Sequence, residues 1–229
     1  MCSSDLYALP GLDVGCATFV QLPPARAADM RYKVLVDERG QPVNDAWRAH
    51  RRASLLETFE ACRPDVLLIE TFPFGRRLLR FELIPLLEAA RARRPRPRIV
   101  CSVRDILENH NTPGRHEKII DLVQRYFDLV LVHGDPDIVP FETTFPLANR
   151  LHGKLCYTGY VRAHERAPAG GNVGRDEVVV SVGGAAFGEH VLAAAIEAYG
   201  LSALHERTWR ILVGHNLPQD RFERLRAKA

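Results

Sequence analysis

Apolar residues along this chain come in short unbroken runs, separated by longer stretches where they recur every three or four positions. The runs are DVLLIE at Asp65–Glu70, RIVCSV at Arg98–Val103, DLVLVH at Asp128–His133 and KLCYTGY at Lys154–Tyr160. A continuous apolar run of this length is the pattern of a strand covered on both faces. Between the runs the period is helical. Asn44 can accept a bond from first-turn amides, and Trp47, Leu55, Phe59 and Cys62 then recur on one helical face until Pro64 stops it. Further helices are expected over Leu78–Arg93 and Pro113–Phe127.

Strands alternating with helices imply right-handed crossovers and a parallel sheet with helices on both faces, an α/β architecture. Ligands of such sheets collect beyond the carboxyl ends of the strands. The residues that follow each strand therefore carry the interest: Glu70 with TFPFGRR, Arg104 and Asp105 with ILENHN, and His133 with GDPD.

After Tyr160 the texture changes. Residues 162–176 are polar and rich in glycine, alanine and arginine, and read as a linker between a first domain at 1–161 and a second at 177–229. The second begins with a strand at Glu177–Val182, a GGAAFG turn, a helix over Glu189–Leu204 and a strand at Thr208–Val213. One helix and two strands fall well short of the roughly 100 residues of an ordinary domain. Apolar faces at Val178–Val182 and Ile211–Val213 are expected to stay partly uncovered.

Composition narrows the class without naming a function. The 229 residues are 46% hydrophobic and 26% charged, with no run of about 18 apolar residues and no signal-peptide pattern at the start, so a cytoplasmic globular protein is expected. Cys2, Cys16, Cys62, Cys101 and Cys156 are scattered and odd in number, which fits reduced thiols, with Cys101 and Cys156 read as core residues. A formal charge of +3 is too small to imply nucleic acid. Five arginines crowd into ARARRPRPR at Ala90–Arg98. They suit a helix C-terminus and a solvated loop, or else contact with an anionic membrane surface or acidic substrate. His116 and Glu117 do not form HExxH, and no metal-ligand spacing, GxSxG or P-loop occurs.

The candidate residues each have two readings. Glu70 at a strand end can bind hydroxyls or act as a base, or simply cap a neighbour. Arg104 offers a planar fork to phosphate or carboxylate, or pairs locally with Asp105. His110 and His133 can transfer protons near neutrality, or cap and pack. Phe72, Phe74 and Leu78 beside Arg76 and Arg77 suit a lipid-linked acceptor at a membrane surface, or a helix start packing on the sheet. Gly183 and Gly184 can let backbone amides approach a phosphate at a helix N-terminus, or serve a tight turn.

A family resemblance rests on the order of several stretches. These are LLIETFPFGRRLLRFELIPLL at Leu67–Leu87, SVRDIL at Ser102–Leu107, TGYV at Thr158–Val161, VVVSVGGAAFGEHVL at Val178–Leu192 and WRILVGHNLP at Trp209–Pro218. Together they resemble predicted GT-B glycosyltransferases similar to the peptidoglycan N-acetylglucosaminyltransferase of family 28, over about residues 12–229. The resemblance implies a Rossmann-like acceptor-side domain followed by the beginning of a Rossmann-like nucleotide-sugar domain. It implies transfer of a sugar, with inversion, from a nucleotide-sugar to an acceptor left open, with no protein-bound cofactor; the aromatics and arginines at Phe72–Leu78 add a lipid-linked acceptor and peripheral contact with the inner membrane face as expectations. The catalytic candidates are Glu70, Asp105 and His110, and the substrate-binding ones Gly183, Gly184, Arg104, Phe74 and His133; the resemblance itself bears on the glycine turn, set beside the donor diphosphate, and on Arg104–Asp105 in SVRDIL. Relatives also carry an opening strand with a glycine-rich turn and a histidine, and a later segment that grips base and ribose. Neither is found here, so a fragment truncated at both ends and inactive by itself is expected. CSSDL at Cys2–Leu6 matches the translated end of a common sequencing adapter, so residues 1–6 are expected to be an assembly scar. A sugar-nucleotide epimerase of the same architecture and a non-catalytic nucleotide-sugar-binding module are the alternatives.

Overall fold

The computed structural model describes residues 15–28, 34–107, 114–161, 176–183, 188–214 and 217–229. The chain divides into two compact units, Met1–Ala163 and His164–Ala229.

The first unit opens with a small antiparallel pair, β1 (Arg26–Ala27) and β2 (Leu35–Val36), followed by α1 (Asp45–Cys62). Then come β3 (Val66–Glu70), α2 (Arg80–Ala92), β4 (Arg98–Arg104), α3 (Arg115–Tyr126), β5 (Leu129–His133) and β6 (Leu155–Tyr157). Strands β3, β4, β5 and β6 lie in that order in one parallel sheet flanked by helices, a mixed α/β arrangement compatible with a Rossmann-like fold.

Local chemistry sets the element ends. The Asn44 side chain accepts the Trp47 amide at 2.8 Å and starts α1. Arg63, in the left-handed region at φ 43°, returns its amide to Phe59 O at 3.1 Å, and Pro64 can donate nothing further. At the end of α3, the Lys154 ammonium donates to the carbonyls of Val123, Gln124 and Phe127 at 3.3, 3.3 and 2.5 Å. A cation there satisfies orphan carbonyls and suits the helix dipole.

Strand alternation divides the sheet's side chains between two faces. Ile69, Ile99, Cys101, Val103, Val130 and Val132 share a face and belong to one core cluster with Phe59 of α1, Leu83 and Leu87 of α2 and Ile120 and Val123 of α3. The other face lies outside that cluster. Val66 is 53% and Leu68 54% exposed, and Cys156 is exposed. The expectation of strands covered on both faces therefore fails for β3, which forms the sheet edge in the order given above. Cys156 is likewise no core residue, and Cys62, at the last turn of α1, is exposed.

One buried ion pair crosses between the first two helices. Arg51 Nε donates to Glu82 Oε2 at 2.7 Å, with side-chain exposures of 5% and 2%. Arg51 also donates to the Pro23 carbonyl and lies over the Trp47 ring, tying the segment before β1 to the helices. Burial pushes the Glu82 carboxyl up, opposed by the Arg51 guanidinium.

The second unit pairs β7 (Val178–Ser181) in parallel with β8 (Trp209–Leu212), joined through α4 (Glu189–Ala198) and followed by α5 (Gln219–Lys228). Leu192 of α4 and Leu225 of α5 are buried, whereas Val179 and Leu212 are 50% and 46% exposed. Two strands and two helices thus leave one sheet face open, as the short second domain led one to expect. Helix α5 is not foreseen in the sequence. The carboxylate of Glu177 holds Arg210 through two bonds, at 2.7 and 2.8 Å, beside the start of β7.

Candidate functional site at the carboxyl edge of the first sheet

Register places three of the sequence candidates of the first unit, Glu70, Arg104 and His133, along one edge. Glu70, the last residue of β3, pairs with Ser102 of β4, and Arg104, the last of β4, pairs with His133, the last of β5. Val132 pairs with Tyr157, so Thr158 follows β6 beside His133. By alternation Glu70, Ser102, Arg104, His133 and Thr158 share the less covered face.

Hydrogen bonds join three of them. Ser102 Oγ lies 2.7 Å from His133 Nε2, and His133 Nδ1 lies 2.7 Å from Thr158 Oγ1. Thr158 Oγ1 in turn lies 3.0 Å from the carbonyl of Gly159 and 3.4 Å from that of Val132, to either of which it can donate. Ser102 is 9% exposed.

At the β3 end, Glu70 Oε2 accepts from Arg76 Nη2. The TFPFG turn folds back on itself to make that contact. The Phe72 amide reaches Glu70 O at 2.8 Å, the Gly75 amide reaches Thr71 O at 2.9 Å, and the Thr71 amide bridges to Ser102 O at 2.6 Å. Thr71 sits at φ 68°, a left-handed conformation that a β-branched residue adopts only under strain. The turn also decides the fate of its aromatics. Phe72 and Phe74 are 2% and 3% exposed, and Phe74 meets Phe141 and Phe145 edge-on at 5.4 and 5.1 Å between centroids. Phe74 is therefore a core residue, not an exposed anchor for a lipid-linked acceptor.

Asp105 turns away from the row. It is 8% exposed, its Oδ1 accepts the Ile106 amide at 2.9 Å, and its Oδ2 accepts from the Tyr160 hydroxyl at 3.4 Å. Its carbonyl accepts from Thr144 Oγ1 at 2.9 Å. Partial desolvation and the Asp105 charge raise the Tyr160 phenol above its ordinary value. Arg104 is exposed and carries no ion pair among the described residues, so the local Arg104–Asp105 pair allowed by the sequence does not form.

The crowded arginines are engaged near the end of α2. Arg93 lies over the Phe59 ring at 5.7 Å, Arg94 donates to the carbonyls of Arg91, Ala92 and Arg93, and Arg96 grips Asp128 through two bonds at 3.0 and 2.5 Å. These contacts match the helix-end reading of the run. No helix among the described residues is long and apolar enough to cross a membrane. Burial, with the Glu70 charge adding to it, pushes the Cys101 thiol far up, so this cysteine is packing rather than nucleophile.

In the second unit Gly183 sits at φ 74°, with open space where a Cβ would stand. Gly188, at φ 112°, begins α4, and a Cβ there would come within 2.7 Å of Val182. His110 and Gly184 lie outside the described residues, as do residues 162–175.

Ser102, Thr158 and Tyr160 were missed as site residues. Ser102 had one signal, a lone hydroxyl within the apolar run RIVCSV, two positions before the strand end. Comparison with family models, with curated proteins and with solved structures finds no match for this chain.

Proposed function

We propose that the chain is part of a GT-B glycosyltransferase that moves a sugar from a nucleotide-sugar donor to an acceptor. The observation that carries this reading is the gathering of Glu70, Arg104 and His133 at one carboxyl edge of a parallel sheet, the position where such sheets bind ligands. In this reading Arg104 offers its fork to a phosphate or sugar carboxylate, and Glu70, oriented by Arg76, binds acceptor hydroxyls. Asp105 holds Tyr160 rather than reacting. In the second unit the left-handed Gly183 and the N-terminal end of α4 suit a donor diphosphate. Inversion belongs to the family resemblance alone, and the burial of Phe72 and Phe74 removes the aromatic argument for an acceptor at a membrane surface.

The reading is tested on the open reading frame that contains residues 1–229, with a panel of nucleotide-sugars and measurement of nucleoside diphosphate release. Release that needs an acceptor and falls about 100-fold in Arg104→Gln supports it. An epimerised donor formed without acceptor, or no turnover of any donor, overturns it.

A further inference from the structure

The hydrogen-bond row at the carboxyl edge admits a direction in which Ser102 is the donor. Thr158 can spend its only proton on the Gly159 carbonyl at 3.0 Å. In that arrangement its oxygen accepts from His133 Nδ1–H at 2.7 Å. In that tautomer Nε2 turns its lone pair toward Ser102 Oγ at 2.7 Å, and the serine hydroxyl is the donor. A hydroxyl that donates to a base, with the base oriented by a third group, is the arrangement of an activated nucleophile. The backbone around it is held rigid, since the Ser102 carbonyl accepts the Thr71 amide at 2.6 Å and the residue lies inside β4. Two positions on, on the same face, Arg104 brings an exposed cation without an ion pair among the described residues.

We propose that Ser102 is a nucleophile toward carboxylic esters, with His133 as its general base and Thr158 as a positioning residue. Ser102 Oγ bonds to the ester carbonyl carbon while its proton passes to His133 Nε2. The carbon–alkoxide bond then breaks, and the alcohol leaves with that proton. Water repeats the sequence on the acyl-serine, releasing the acid and restoring the hydroxyl. Arg104, two positions further along the same face, supplies positive charge toward the developing oxyanion. The reaction differs from glycosyl transfer and is tested apart from it, although both readings draw on Arg104 and His133.

The test uses the full chain and a small alkyl fluorophosphonate. That reagent forms one phosphorus–oxygen bond to an activated serine and loses fluoride, the serine proton going to the histidine. The expected result is a single adduct, located at Ser102 by peptide mass mapping. Labelling is expected to be absent in Ser102→Ala and at least about 100-fold slower in His133→Gln. Thr158→Val is expected to slow labelling about 10-fold, and Thr158→Ser to restore it, with unfolding transitions of all variants recorded alongside. Mapping on the wild-type chain decides the matter even where a variant unfolds. No adduct on the folded wild-type chain, an adduct at another residue, or labelling indifferent to a folded His133→Gln overturns the proposal.

Discussion

Gly134 and Asp105 approach so closely that a Cβ on the glycine would stand 2.5 Å from Asp105 Cβ and 2.6 Å from its Oδ2. The glycine that follows β5 thus makes room for the residue that follows β4. Neither atom group can yield easily, because Asp105 is pinned by the Ile106 amide and the Tyr160 hydroxyl. Gly134→Ala is therefore expected to destabilise the first unit by about 1–3 kcal/mol, as overpacking does. Thermal unfolding should report the change, at roughly 2–4 °C for each kcal/mol. An unchanged midpoint would mean that Asp105 is not held where the structure has it.

The Arg51–Glu82 pair gives a pH-dependent expectation. Arg51→Met leaves a buried carboxylate without its cation and is expected to destabilise by about 3–5 kcal/mol at pH 7. Burial already raises Glu82 above its ordinary 4.5, and loss of Arg51 removes what opposes that rise. A raised carboxyl binds its proton more readily in the folded state. Its contribution is then fully present below the unfolded value of 4.5 and is lost as pH rises through the folded one. The deficit of Arg51→Met should accordingly shrink as pH falls toward 4.5, while the stability of Arg51→Met/Glu82→Gln should lose the part of the pH dependence that Glu82 supplies. Urea unfolding at a series of pH values measures both.

The uneven covering of the sheet predicts a contrast between two leucines. Leu87 is fully buried in the core cluster, and Leu87→Ala should destabilise by about 2–5 kcal/mol. Leu68, 54% exposed on the other face, should lose less than about 1 kcal/mol on the same change. Equal losses in denaturant unfolding would show that Leu68 is covered in solution.

Those two leucines also show what the sequence could and could not reveal. The four strands of the first sheet, their parallel arrangement and the capped α1 were legible because apolar runs, helical periods and Asn44 act locally, whereas the order of the strands in the sheet was not. The exposure of Leu68 was not legible, since a continuous apolar run looks alike whether one or both faces are covered. Glu70, Arg104 and His133 could be placed at one edge because strand ends are visible in the pattern. Phe74 could not be told from a surface aromatic, because its burial depends on Phe141 and Phe145, some 70 residues away. Ser102 was hidden for the same reason: its partner His133 is 31 residues distant and meets it only across the sheet. Helix α5 carries strongly polar residues and leans on α4 through Leu225 and ion pairs such as Arg221–Glu189, contacts a local reading does not see.

Titration of residues 1–229 with nucleoside diphosphates and their sugar derivatives, followed through backbone amide shifts, decides whether this chain binds nucleotide-sugars. One base should be preferred, with a dissociation constant of about 0.1–1 mM, equivalent to roughly 4–5.5 kcal/mol. The Gly183 amide should move with the ligand, and Gly183→Val, which forces a branched side chain to φ 74°, should abolish the response. No shift at Gly183 with any nucleotide-sugar at millimolar concentration would contradict the account.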